Sequence, residues 1–233
     1  GNHEAVADAT LALMGALGEN VVKHHLQMKK TGWGGDVHPG LWRLTVGIVG
    51  LGRIGKAVAR RCRGFEMRIL AHTRTPDPNY ARENGISLVS LDTLLREADY
   101  VTLHVPYTPE TEKLMNRERL SLMKPTAFLI NTSRGGLLDE EALYDVLAAR
   151  EIAGAALDNY RGKPPIVSPL LSLDNIILSP HSAGNNLSAE ALVGNLCVNA
   201  ILAFAEGSGP DRQYILNPEA LQPRPAGISH TAA

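Results

Sequence analysis

The residues whose spacing most directly implies chemistry are Gly50, Gly52 and Gly55, in the run Gly50-Leu51-Gly52-Arg53-Ile54-Gly55. Glycines at these intervals mean little alone. Here they directly follow the β-branched stretch Thr45-Val46-Gly47-Ile48-Val49 and open a helical pattern at Ile54, Ala57, Val58 and Ala59. In that setting each glycine has its own task. The first permits a tight turn, the second lets the backbone approach a pyrophosphate, and the third lets the helix pack against the strand. The start of the helix, at Arg53, Ile54 and Gly55, adds free N–H groups and the positive end of the helix dipole. The implied chemistry is capture of a dinucleotide.

Which dinucleotide is read from the end of the second strand, where an acidic residue ordinarily accepts hydrogen bonds from the ribose hydroxyls. That position is Thr73, in His72-Thr73-Arg74-Thr75, and no carboxylate follows before Asp77. A small hydroxyl followed by a guanidinium suits a 2′-phosphate, which arginine grips with paired charged hydrogen bonds. The expected cofactor is NADP or NAD, with NADP favoured by Thr73 and Arg74.

The elements that must hold this turn are read from periodicity. Apolar residues at helical spacing (Val6, Ala9, Leu13, Leu17, Val21, Val22) predict one long amphipathic helix over 3–30, followed by a Gly-, Trp- and Pro-rich loop over 31–41. Strands are expected at 45–49, 68–72, 100–105, 127–131, 152–157 and 176–178, and helices from 54 to about Gly64, at 91–97 and at 140–149. Such alternation predicts an α/β fold, a doubly wound parallel (Rossmann) sheet with right-handed crossovers. The expected division is an interdomain or dimerisation helix and loop over 1–41, a nucleotide-binding domain over 42–184, a C-terminal helix within 185–206, and a frayed tail over 207–233.

Composition excludes several classes. The chain has 233 residues, 44% hydrophobic, with a formal net charge of −1, which gives no support for a nucleic-acid or anionic-membrane partner. Its two cysteines, Cys62 and Cys197, lie far apart in helix-like apolar patterns and read as buried thiols in a reducing cytoplasm. The apolar run Leu11 to Leu17 is too short to span a bilayer and lacks a basic leader. No metal site is expected, since adjacent His24 and His25 would not face one direction on a helix.

Three further segments sharpen the reading: His104-Val105-Pro106-Tyr107-Thr108-Pro109-Glu110-Thr111, Asn131-Thr132-Ser133-Arg134-Gly135-Gly136 and Ser179-Pro180-His181-Ser182-Ala183-Gly184. With the glycine turn, in this order and spacing, the chain resembles the D-2-hydroxyacid dehydrogenase family from about residue 1 to residue 218. The resemblance implies reversible hydride transfer between a nicotinamide cofactor and a small 2-hydroxy or 2-oxo acid. Reduction makes the carbonyl oxygen negative and protonates it. A histidine can supply that proton near neutral pH, and a fixed cation can hold the substrate carboxylate. By the matching positions, these are His181 and Arg134. Asp158 matches the residue that holds the nicotinamide carboxamide, and Val105, Pro106, Thr111, Thr132, Ala183 and Gly184 fall in segments lining the cofactor. The remaining histidines, His104 among them, are read as structural or exposed.

Two departures stand out. The family ordinarily has a glutamate five residues after the Asp158 position, where it favours the protonated catalytic histidine; here that residue is Lys163, whose like charge would disfavour it. The family also places a substrate lobe of roughly a hundred residues ahead of the helix that here starts at His3. The expectation is a chain that binds cofactor but turns over substrate poorly by itself. The apolar residues Leu11, Leu13, Met14 and Leu17 are expected to need cover, which points to a homodimer. The competing reading is a dinucleotide-sensing, corepressor-like interaction module, favoured by Lys163 and disfavoured by Arg134 and His181. A Rossmann methyltransferase would leave the Asn131 and His181 segments unexplained.

Overall fold

In a computed structural model of the chain, residues 1–162, 167–211, 214, 215 and 217 are described. Elements in chain order are α1 (His3–Gly18), α2 (Val21–Thr31), β1 (Thr45–Val49), α3 (Arg53–Cys62), β2 (Arg68–His72), α4 (Pro78–Glu83), β3 (Ile86–Leu88), α5 (Leu91–Glu97), β4 (Tyr100–Leu103), α6 (Arg117–Leu120), β5 (Phe128–Asn131), α7 (Glu140–Ala148), β6 (Gly154–Leu157), β7 (Ile176–Leu178) and α8 (Leu187–Ala205). The strands form one parallel sheet in the order β3-β2-β1-β4-β5-β6-β7. The chain runs outward from β1 to β3, then crosses back to β4 on β1's other side. This reversal is the topological switch point of a Rossmann sheet, where ligands bind beyond the carboxyl ends of the strands.

Register explains why motifs far apart in sequence meet. Val49 pairs with Leu103, Leu103 with Asn131, Asn131 with Leu157, and Leu157 with Leu178. These are the last residues of their strands, so the loops carrying Gly50–Gly55, His104–Thr111, Thr132–Gly136, Asp158 and Ser179–Gly184 all leave one edge of the sheet.

Every residue of β4, β5 and β6 is buried, because helices cover both faces. Alternate side chains feed two cores. Leu129 joins Leu94, Leu95, Leu143 and Leu147 on one face, while Ile130 joins Met14, Val46, Ile48 and Val58 on the other. Gly47 allows β1 its closest neighbour: a Cβ there would stand 2.7 Å from Leu94 Cγ.

The predicted helix over 3–30 is two helices bent by 52°. Asn20 adopts φ 51°, in the left-handed region, and Gly18 has no room for a side chain beside Tyr100, whose hydroxyl donates to the Gly40 carbonyl at 2.5 Å. The apolar period does run on through Val21 and Val22, but both are exposed and α2 buries no residue. The expected uncovered surface of α1 is also corrected. Met14 and Leu17 are buried in the chain's own core, and Leu11 and Leu13 pack against it. Exposed apolar groups gather instead on α2, on the following loop at Trp33 and Val37, and on α8, with others scattered elsewhere.

Cys62 is buried, as expected, but Cys197 is exposed on α8. That helix runs from Leu187 to Ala205, within the expected 185–206, and Asn186 caps it by accepting from the Ala189 N–H at 2.8 Å. Only Ala189 of α8 is buried, and its 19 residues have a mean hydropathy of 1.6, long and apolar enough in composition to cross a membrane. A helix that packs against protein has the same composition. Of the expected tail, Ser208 and Gly209 close α8 by donating to the Ala203 carbonyl; residues 212, 213, 216 and 218–233 lie outside the described residues.

Candidate functional site

The glycine turn leaves β1 at the switch point, and its three glycines are needed for three different reasons. Gly50 sits at φ 102°, and a Cβ there would stand 2.6 Å from the His104 carbonyl oxygen. Its N–H donates to the His72 carbonyl at 2.8 Å, tying the turn to the end of β2. A Cβ on Gly55 would collide with the Gly50 carbonyl, so α3 can lie this close to the turn only without one. Gly52, the N-cap of α3, is different: a Cβ there would meet nothing within 4 Å. Nothing among the described residues demands glycine at that point, which leaves close approach from outside as its physical use. The first hydrogen bond of α3 runs from the Lys56 N–H to the Gly52 carbonyl, so the N–H groups of Arg53, Ile54 and Gly55 are left without helical acceptors. A positive helix end, free donors and open space at Gly52 fit a dinucleotide's pyrophosphate.

On the β2 side, Thr73 is half-buried and Arg74 is exposed. Among the described residues neither Arg53 nor Arg74 forms a salt bridge within the chain. The Glu110 carboxyl, on the 104–111 loop, is held below its ordinary value chiefly by a hydrogen bond from Thr108, with a smaller pull from Arg74. Thr111 braces this loop, its Oγ1 donating to the Pro106 carbonyl and accepting from the Thr108 N–H, each at 2.8 Å. The Ser133 hydroxyl fastens the loop to β5 by donating to the Val105 carbonyl at 2.7 Å.

Arg134 is exposed on the loop after β5. Asn131 shapes that loop at both ends, its Nδ2 donating to the Arg134 carbonyl and its Oδ1 accepting from the Ser133 N–H. A side chain on Gly136 would run into the Tyr107 ring, and one on Gly135 into the Tyr160 backbone. Thr132 differs from its neighbours: it is 5% exposed, and its hydroxyl lies 3.0 Å from that of Thr10 on α1, so that group faces the interior.

The opposite end of the site is organised by Asp158. It is 1% exposed, and its carboxylate accepts from Ser179 Oγ at 2.6 Å, the Ser182 N–H at 2.9 Å and the Ala183 N–H at 3.0 Å. These bonds grip the 179–183 loop on either side of His181. Between them His181 takes φ 56°, unusual for a residue with a Cβ, and its side chain is exposed over the carboxyl edge. Tyr160 supports the same loop by donating to the Ser179 carbonyl at 2.8 Å.

Arg134 and His181 each follow a strand end by three residues, β5 and β7 respectively, with β6 between. Neighbouring strands lie about 4.8 Å apart, so the two loops are rooted about 10 Å from each other. An exposed guanidinium and an exposed imidazole thus leave nearby loops along one sheet edge. Lys163, expected in place of a carboxylate near His181, lies outside the described residues.

Three supports escaped the sequence reading. Ser179 and Ser133 stand inside the quoted segments but were given no role there, and Thr10 stands outside them; what assigns all three is pairing with Asp158, Val105 and Thr132 across 21, 28 and 122 residues of chain.

The family described as "D-isomer specific 2-hydroxyacid dehydrogenase, NAD binding domain" matches residues 11–183. A glyoxylate reductase of Korarchaeum cryptofilum is 39% identical over 232 residues, 97% of this chain and 69% of that protein. Among solved structures, D-lactate dehydrogenase from Aquifex aeolicus, complexed with NAD and lactic acid, superposes with a TM-score of 0.80 at 32% identity, covering 88% of this chain and 67% of that one. An acyclic imino acid reductase in complex with NADPH and D-Arg does so with a TM-score of 0.78 at 29% identity, covering 89% and 67%. The chain therefore spans about two thirds of the length of these relatives. With the switch-point cradle, the strand order and these matches agreeing, the chain belongs to the D-isomer specific 2-hydroxyacid dehydrogenase family and carries its NAD(P)-binding oxidoreductase domain.

Proposed function

We propose that this domain serves the reduction of a small 2-oxo acid of the glyoxylate or hydroxypyruvate class, with Arg134 and His181 as its catalytic residues. The observation that carries this is their exposure on strand-end loops along the same sheet edge as the glycine turn. Arg134 binds the substrate carboxylate and draws negative charge toward the reacting carbonyl oxygen. The protonated His181 side chain donates a proton to that oxygen, and in the reverse direction takes it back from the hydroxyl. The nicotinamide cofactor, when bound, supplies or accepts the hydride. The free N–H groups of Arg53, Ile54 and Gly55 hold its pyrophosphate, with Gly50 and Gly52 leaving room. Val105, Pro106 and Thr111 form the wall from the 104–111 loop. The loop backbones at Thr132, Ala183 and Gly184 would form the far end, where Asp158 would receive the carboxamide while it holds the 179–183 loop.

NADPH is the preferred reductant in this reading, since Thr73 and the exposed, unbridged Arg74 leave the 2′ position open to a phosphate. In titrations of the chain by calorimetry, Arg74→Ala is expected to weaken NADPH about tenfold, about 1.4 kcal/mol, and to leave NADH nearly unchanged. Equal losses for both would overturn the preference.

The catalytic assignment is tested by following nicotinamide absorbance with glyoxylate and hydroxypyruvate. Loss of turnover in both Arg134→Ala and His181→Ala with cofactor affinity retained is the expected result. Undiminished turnover in either variant removes that residue from the mechanism. The exposed pair also argues against a purely sensing module, which would have no use for it.

The chain associates as a homodimer in the same reading, through α2 and the Trp33–Val37 loop rather than through α1. Val21, Leu26, Met28, Trp33 and Val37 there are all exposed. Light scattering after chromatography should give twice the chain mass for the parent and a monomer for Leu26→Glu. A cytoplasmic setting fits the free thiols of Cys62 and Cys197.

A further inference from the structure

Behind the glycine turn lies a titratable group that the proposed chemistry does not use. His104 follows the last residue of β4, and its backbone is built into the switch point: its N–H donates to the Val49 carbonyl at 2.7 Å, and its carbonyl carbon stands 2.7 Å from where a Cβ on Gly50 would be. Its ring turns to the same side of β4 as Thr102, whose Oγ1 is 3.0 Å from Nε2. Thr102 is fully buried. The other ring nitrogen, Nδ1, is also buried and has no hydrogen-bond partner among the described residues.

The protonation state of the ring follows from its surroundings. Burial pushes its pKa down to about 3, so at neutral pH the imidazole is uncharged, with one nitrogen carrying hydrogen and the other bare. If Nε2 accepts from Thr102, Nδ1–H is a stranded donor. If Nε2–H donates to Thr102, Nδ1 is a stranded acceptor. Both arrangements leave one polar atom unsatisfied in the interior, which is costly to the fold. A phenylalanine-like packing group would fill the place without that cost. A polar ring retained on a residue whose backbone abuts Gly50 is explained if its partner arrives with a ligand.

We propose that His104 is a positioning residue for the dinucleotide, its Nδ1 gaining its missing hydrogen bond only when cofactor, or a water the cofactor traps, occupies the switch point. The proposal rests on the reading that this edge holds a nicotinamide dinucleotide, and extends it to a residue behind the turn. The bond made by its ring is carried to the turn through the His104 backbone carbonyl, which packs against Gly50.

The test combines two measurements on the full chain. In the parent protein labelled with ¹⁵N-histidine, the ring-nitrogen resonances of His104, assigned by their absence in His104→Phe, are followed while NADPH is added. A shift of its Nδ1 signal on saturation is expected, without protonation of the ring. In parallel, calorimetry compares NADPH binding by the parent, His104→Phe and His104→Gln. Phenylalanine keeps the volume but loses both nitrogens, and should weaken binding about tenfold with the melting temperature held or raised. Glutamine, which restores a polar group, should recover part of the loss. Unchanged affinity in His104→Phe, or an Nδ1 signal that does not move at saturation, overturns the proposal. Absence of NADPH binding by the parent would overturn the dinucleotide reading as well, so the two failures are distinguishable. Should His104→Phe not fold, His104→Gln assigns the signals and the resonance shift decides.

Discussion

The Gly50–Gly55 turn and the Ser179–Ala183 loop solve the same problem by opposite means. Both carry the chain sharply away from a strand end so that a functional group faces the carboxyl edge. At the turn, side chains are deleted: Gly50 takes φ 102° and Gly55 lets α3 lie against the Gly50 carbonyl. At the loop, His181 keeps its side chain at φ 56°, because three hydrogen bonds to Asp158 fix the residues around it. A backbone that only needs to come close can be made of glycine. A backbone that must present an imidazole needs a buried carboxylate to hold it.

The comparison breaks most visibly at Asp158. Asp158→Ala leaves three donors without their acceptor, and at about 1–3 kcal/mol each this should be the most damaging single change along the carboxyl edge. Urea unfolding should show a loss of several kcal/mol in that range, and turnover should fall further than cofactor affinity. A variant as stable as the parent would mean the loop is held by something else. Next is Gly55→Ala, whose methyl must displace the Gly50 carbonyl, with an expected loss of about 1–3 kcal/mol in the same measurement.

Gly52→Ala sharpens the contrast between protein-imposed and ligand-imposed glycine. Its methyl meets open space, so stability should fall by no more than about 1 kcal/mol, the difference between the two residues as N-caps. NADPH affinity should nevertheless drop by about tenfold or more, which is about 1.4 kcal/mol. If stability falls and affinity does not, the assignment of Gly52 to the ligand is wrong. The smallest effect, and of opposite sign, is expected at His181→Gly. Relieving a left-handed residue should stabilise the fold by about 1 kcal/mol while turnover is lost. A destabilised glycine variant would show that the His181 side chain contributes packing.

What could be read from sequence follows from which interactions are local. β1, β2 and β7 carry β-branched or aliphatic runs ended by turns, and their bounds match the expected ones. The glycine motif and the Arg134 and His181 segments were legible because their chemistry is encoded within a few residues. β3, at Ile86–Leu88, has only three residues and pairs at the sheet edge, too short for periodicity to register. The four-residue α6 escaped for the same reason. The break between α1 and α2 was hidden because the apolar period continues across it, while the deciding contact, Tyr100 against Gly18 and Gly40, comes from the middle of the sheet. Cys197 was misread because an apolar helix pattern says that a face wants cover, not that the same chain provides it. The partnership of buried Asp158 with Ser179 exists only once β6 and β7 are side by side.

The unequal surroundings of the two cysteines make the native sequence convenient to probe. Burial raises the Cys62 thiol to about 12, so at neutral pH it holds almost no thiolate and reacts slowly, whereas Cys197 stands in the open on α8. A maleimide dye added in stoichiometric amount should therefore decorate a single position without any engineering. It would report on whatever comes to rest against that apolar helix.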